Sequence, residues 1–225
     1  MSARIACFVG ALAASAASAG DLLLLWFANG GRADLPTLPP IGDGWLLVGH
    51  ILGVVAIPLY AVGYWGLAEA IRPADPAAAR RVFLLGAAIG AYGAVIHGIT
   101  GMAEHIERAA GLPARNPLLF VRQHGAYVRP LWIAVFVLGS MLSVVFVRAV
   151  ARGDTALPRW MALANPVALI VLAALLGAPT PLGRAILVPA APNVAHVWLF
   201  ALAAIALGRT RSAAQRPESK RRFPA

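Results

Sequence analysis

The sequence predicts an all-α, polytopic integral membrane protein: a six-transmembrane-helix bundle with both termini cytoplasmic. Three observations carry that expectation. Of 225 residues, 60% are hydrophobic and 12% charged, about half the charged share of a typical soluble domain. The apolar residues gather in six long runs joined by short polar segments, and a hydrocarbon core takes ~20 such residues to cross. The formal charge of +10 is unevenly divided among those segments, which makes it a topology signal and not the footprint of a nucleic-acid surface. The single cysteine, Cys7, excludes a disulfide scaffold and paired-thiol redox chemistry.

The spans are expected at Ile5–Ala28, Trp45–Ile71, Val82–Ile106, Leu131–Val150, Trp160–Gly177 and Ile186–Leu207. In the first, small residues at Gly10, Ala14 and Ser18 recur every four positions, as helix-packing faces in membranes do. Met1–Ala19 also reads as a signal peptide, with Ala17-Ser18-Ala19 as the cleavage pattern. The apolar run continues through Leu22–Ala28 and favours a retained helix. The second span puts His50, Gly53, Ile57 and Tyr64 on one face, with Tyr60 at its margin. In the third, Gly86, Gly90, Gly93, His97, Gly101 and Glu104 form one stripe at helical spacing, so His97 and Glu104 should face the interior. The fourth holds Ser140 and Ser143 without a neighbouring base. In the fifth, Asn165-Pro166 shapes the helix, with Asn165 also a substrate-binding candidate. The sixth, broken by Pro189 and Pro192, sets Asn193 and His196 on a shared face. The loop Ala109–Arg129 reads as a plain outer loop. Residues 1–208 form the transmembrane domain and 209–225 a basic, disordered cytoplasmic tail.

Orientation follows from the positive charges. Thirteen fall on one side: Arg4, Arg72, Arg80, Arg81, Arg148, Arg152, Arg159, Arg209, Arg211, Arg216, Lys220, Arg221 and Arg222. Six fall on the other: Arg32, Arg108, Arg115, Arg122, Arg129 and Arg184. The richer side is cytoplasmic, and the expected location is a bacterial-type inner membrane.

Ionisable groups within spans are expensive and mark functional candidates. Counted at 1.5 Å rise per residue, Asp21, His50, His97 and His196 all fall in the outer half of the membrane. That shared depth predicts one polar pocket built by four helices. A neutral carboxylic acid there could protonate an alkene, epoxide or carbonyl, while a histidine removes a proton elsewhere. The expected function is therefore a membrane-embedded acid–base enzyme, an isomerase or cyclase acting on an isoprenoid, steroid or lipid. Asp21 and Glu104 are the acids, His97 with His50 or His196 the base and orienting groups. Tyr64, Asn193, Asn165 and His105 are the substrate-binding candidates. No cofactor is expected. The alternatives are a zinc-dependent lipid hydrolase using His50, His97, His196 and Asp21, a haem protein, a small transporter and a non-catalytic lipid-binding subunit. The expected partners are a hydrophobic substrate and membrane lipids, with no nucleic acid. A Gly-rich phosphate loop followed by Lys and a Gly-x-Ser-x-Gly nucleophile motif are both absent from the sequence.

Overall fold

Asp21 lies in the second half of the first helix, and the whole arrangement can be read outward from it. In the computed structural model the chain is described at residues 1–30, 35, 38–109 and 125–214. Seven α-helices are described: α1 (Ala3–Asn29), α2 (Asp43–Ala56), α3 (Tyr60–Ile71), α4 (Pro76–Ala109), α5 (Gly125–Ala151), α6 (Pro166–Gly177) and α7 (Pro181–Ala214). No strand occurs among the described residues. One turn of 3-10 helix, Ile57–Leu59, joins α2 to α3 at Pro58, which has no N–H to donate. The two therefore act as one long rod, Asp43–Ile71.

Among the described residues five helical rods are long and apolar enough to cross a membrane: α1, α2 with α3, α4, α5 and α7. Their outward surfaces are apolar too, with Phe8, Leu47, Ile51, Val55, Val137, Val144 and Ile205 exposed. Over the expected fifth span, Trp160–Gly177, the apolar helix is shorter than the sequence predicts. It has 12 residues, about 18 Å at 1.5 Å per residue, against a hydrocarbon core of about 30 Å. Asn165 and Pro166 explain the late start. Asn165 has extended backbone and its side chain accepts from the Ala168 amide at 3.1 Å, so it is the N-cap, with Pro166 in the first turn. The preceding residues form a 3-10 turn, Arg159–Ala162.

Contacts fix the helix directions. Gly208 on α7 lies against Arg4 on α1, and Ile186 and Ala190 pack with Leu25, so α1 and α7 are antiparallel and their terminal ends meet. Gly66 lies against Ala3, Ala6 and Cys7, and Gly49 against Gly20, so α2–α3 is also antiparallel to α1. At the end that holds the termini, the Ala156 amide donates to the Ala70 carbonyl at 3.0 Å and Arg152 pairs with Asp75 at 3.4 Å. The core at this end is apolar, with Leu67, Ile71, Val82, Phe146, Val150 and Leu207 buried. Helix α7 continues through Ala214, into the segment expected to be a tail. Residues 215–225, with Arg216, Lys220, Arg221 and Arg222, lie outside the described residues. So do Arg32 and residues 110–124, with Arg115, Arg122 and His124.

Helix α1 is clamped by glycines. A Cβ built on Gly10 would sit 2.6 Å from the Gly63 Cα, and one on Gly20 would sit 2.8 Å from the Gly49 carbonyl oxygen. Both partners are backbone and have nowhere to move. Gly44, by contrast, has nothing within 4 Å of its Cβ position. Gly10→Val should therefore cost about 1–3 kcal/mol, the usual penalty of overpacking. Gly44→Ala should leave the melting temperature in detergent unchanged or slightly raised. Equal melting temperatures for wild type and Gly10→Val would contradict the close packing.

Candidate functional site

Two hydrogen-bonded groups meet where α1, α2–α3, α4 and α7 converge. In the first, Asp21 is the centre. Its Oδ1 lies 3.1 Å from Nδ1 of His97 on α4, and its Oδ2 accepts from Nδ2 of Asn193 on α7 at 2.7 Å. The Asn193 Oδ1 accepts from the Tyr60 hydroxyl at 2.7 Å. On its far edge, His97 Nε2 faces the Gly49 carbonyl oxygen at 3.1 Å. The His97 side chain is 4% exposed and that of Asp21 17%, so the histidine is sealed in while the carboxylate keeps one accessible flank.

The partners determine where the protons sit. A carbonyl oxygen only accepts, so His97 Nε2 carries a hydrogen and donates it to Gly49. The Asp21–His97 contact is then a hydrogen bond only with one proton on the shared edge, on the carboxyl or on Nδ1. Both forms leave every polar atom of the pair bonded. That matters because an unpaired charge in an apolar interior costs several kcal/mol.

The second group is a dyad. The Tyr64 hydroxyl lies 2.7 Å from His196 Nε2, and His196 Nδ1 lies 2.6 Å from the Pro192 carbonyl oxygen. The same logic puts the hydrogen on Nδ1, so the Tyr64 hydroxyl donates to Nε2. The two groups touch through Tyr60, whose ring stacks on His196 with centroids 4.6 Å apart and planes 25° from parallel. Phe200 packs edge-on against Tyr64, with ring centroids 5.1 Å apart.

Local sequence explains the placement. Helices α3 and α7 run in the same direction, so Tyr60 and Tyr64, four apart, meet Asn193 and His196, three apart, in register. Glycines make room for the rings: a Cβ on Gly53 would overlap His97, one on Gly86 would overlap Tyr64, and one on Gly101 would overlap His50.

Of the residues singled out from the sequence, Asp21, His97, Asn193, Tyr64 and His196 are brought together. His50 lies next to them, over Gly101, one helical turn from His97 toward the end opposite the termini. Its Nδ1 is buried without a hydrogen-bond partner among the described residues. Glu104 is buried a further turn out on the same stripe of α4, and His105 beside it is exposed. Asn165 stands apart: its amide caps α6 and donates to the Ala162 carbonyl at 3.1 Å. Ser143 is also occupied, accepting from the Val167 amide at 3.2 Å. Tyr60, which the sequence places only at the margin of the second span's polar face, also joins the network, and its four-residue spacing from Tyr64 is the signal that marks it.

Among the described residues no three His, Cys, Asp or Glu side chains are grouped so as to hold a metal ion. Both ring nitrogens of His97 and of His196 are engaged by protein partners.

The chain belongs to a family of unknown function, DUF6796, whose model matches residues 2–210. Neither a curated protein nor a solved structure matches it.

Tyr60, Asn193 and Asp21 form a chain in which each bond orients the next. Tyr60→Phe leaves Asn193 Oδ1 without its donor, and Asn193→Leu strands both Tyr60 and Asp21 Oδ2. Each should destabilise the fold by about 1–3 kcal/mol. The double variant should cost less than the two added together, by about 0.5–3 kcal/mol. Thermal or denaturant unfolding in detergent measures the cycle, and strict additivity would contradict the bond.

Proposed function

We propose that this protein is a six-crossing integral membrane enzyme that uses Asp21 and His97 for acid–base chemistry on a hydrophobic substrate, of the isoprenoid, steroid or lipid kind. The observation that carries the reading is the Asp21–His97 edge: Oδ1 and Nδ1 lie 3.1 Å apart, with a flank of the carboxylate accessible and the histidine buried.

The membrane part of the reading rests on the apolar exposed surface and on the charges. Arg4, Arg72, Arg80, Arg81, Arg148, Arg152, Arg159 and Arg209 all belong to the end of the bundle where the termini meet. With α6 as a short sixth crossing, both termini lie on the cytoplasmic side, of a bacterial-type inner membrane. The polar network then sits toward the outer leaflet.

With the proton on Asp21, the acid can deliver it to a substrate alkene carbon, forming a C–H bond and leaving the carboxylate. Positive charge develops on the substrate beside that carboxylate, which stabilises it. Loss of a proton from a neighbouring carbon returns it to the shared edge, so the pair ends as it began and the double bond has moved. Throughout, His97 keeps its Nε2 hydrogen on Gly49, and Asn193 holds Oδ2 in place. Tyr64 and His196 form the wall behind Tyr60. A carrier would need polar groups along its whole length, whereas the described core at the end holding the termini is apolar.

Two measurements test this. Wild-type protein incubated with membrane lipid extract in D2O should introduce deuterium at carbon into one lipid class, read by mass spectrometry. Asp21→Asn and His97→Gln should lower that labelling by about a hundredfold or more, as loss of a proton-transfer group does. Equal labelling by wild type and both variants would overturn the assignment. For topology, Ser2→Cys and Asp154→Cys should react with an impermeant thiol reagent only from the cytoplasmic face, and Pro40→Cys and Thr180→Cys only from the other. Labelling of Thr180→Cys from the cytoplasmic face would remove the sixth crossing.

A further inference from the structure

The Tyr60 hydroxyl has one place to donate. Tyr60 is 1% exposed, with its ring stacked on His196 at 4.6 Å and edge-on to Phe200 at 6.0 Å. Both ring nitrogens of His196 are taken, by the Tyr64 hydroxyl and the Pro192 carbonyl. Among the described residues the hydroxyl's hydrogen-bond partner is Asn193 Oδ1, at 2.7 Å. We infer, on the reading of Asp21 and His97 as an acid–base pair, that Tyr60 is a positioning residue for that pair. Through the Asn193 amide it decides which oxygen of Asp21 carries the proton, and holds that proton on Oδ1, against His97.

A side-chain amide has nearly the same shape when turned end for end, but it then offers an acceptor where it offered donors. With Oδ1 toward Tyr60, Nδ2 donates to Asp21 Oδ2 at 2.7 Å. Turned over, Nδ2 would face the Tyr60 oxygen and Oδ1 would face Asp21. The phenol oxygen can accept from that N–H, but its own hydrogen is then buried with no acceptor among the described residues. Leaving a buried donor unpaired biases the two orientations by about tenfold or more. The Tyr64–His196 dyad contributes by being complete: His196 has no nitrogen left to draw the Tyr60 hydroxyl away, and its ring backs the Tyr60 ring.

The amide orientation in turn selects the carboxyl oxygen. A proton on Oδ1 has an acceptor, His97 Nδ1 at 3.1 Å. A proton on Oδ2 would gain an acceptor from Asn193 only if the amide turned its carbonyl oxygen inward, which the Tyr60 hydroxyl opposes. The His97 tautomer agrees, because the ring hydrogen sits on Nε2 against the Gly49 carbonyl oxygen at 3.1 Å and leaves Nδ1 to accept. Donation therefore runs one way, from Tyr60 to Asn193 to Asp21, and from Asp21 to His97 to Gly49. When Oδ1 gives up its proton, the carboxylate that remains keeps the Asn193 N–H on Oδ2. Tyr60 acts by orientation alone, and no proton passes through the amide.

Solid-state NMR of the full chain in lipid bilayers reads the orientation directly. Asparagine carries 15N in its side-chain amide, aspartate 13C in its carboxyl, and tyrosine 13C at the ring carbon bearing the hydroxyl. In the wild type the Asn193 nitrogen should couple strongly to the Asp21 carboxyl carbon and weakly to the Tyr60 ring carbon. Tyr60→Phe, which keeps the ring that stacks on His196, should let the amide populate both orientations and cut the Asp21 coupling to about half. The 15N signal of His97 Nδ1 should move with it. A wild-type nitrogen coupled to Tyr60 in place of Asp21 overturns the inference, and does so even where Tyr60→Phe fails to fold. An unchanged coupling in Tyr60→Phe overturns it as well. A wild-type His97 Nδ1 signal indifferent to Asp21→Asn instead overturns the acid–base pair itself.

Discussion

The structure depends on a single physical demand: a carboxylate on an otherwise apolar helix must find partners before that helix can be buried. Asp21 meets it on both oxygens. Each partner comes from a different element, His97 from α4 and Asn193 from α7, and each of these has a second bond to a third element, to Gly49 on α2 and to Tyr60 at the start of α3. A group that would cost several kcal/mol unpaired therefore ties the bundle together at one height. Hydrocarbon-like packing has little directional preference, so these bonds are what specify the rotation of α1, α4 and α7 about their own axes.

Such bonds need short helix separations, and the glycines supply them. Gly10 meets Gly63, and Gly20 meets Gly49, backbone against backbone. Gly53, Gly86 and Gly101 each receive the ring of a histidine or tyrosine. The small-residue faces and the polar network are thus one device. Removing the side chain from one helix makes the volume into which the polar ring of the next can enter. The His97 ring, lodged in the Gly53 notch, is sealed, while Asp21 keeps one accessible flank.

Much of this was legible in the residues. Scarcity made Asp21, His97 and His196 stand out, the α4 glycine stripe gave the inward face, and the Asn193–His196 spacing gave a shared one. The helices themselves follow from long apolar runs, and the arginine asymmetry marked the end where α1 begins and α7 finishes. The rest was hidden for physical reasons. The second partner of His97 is a backbone carbonyl, which every residue has and no sequence pattern advertises. Tyr60 joins the network because α3 and α7 run in the same direction, which no spacing within either helix reveals. The start of α6 is set by Asn165 and Pro166, which cap a helix of 12 residues. Asn165 consequently looked like a pocket residue when its amide belongs to a helix end.

The central claim is that Asp21 is held inside the bundle with one oxygen on His97 and the other on Asn193. Infrared spectroscopy of protein carrying 13C-labelled aspartate, in lipid and with Asp21→Asn as the subtraction, isolates the Asp21 carboxyl band directly. The account predicts a band that moves when His97 is replaced by Gln and moves again when Asn193 is replaced by Leu. A band at the position of a water-exposed carboxylate, indifferent to both replacements, would contradict it.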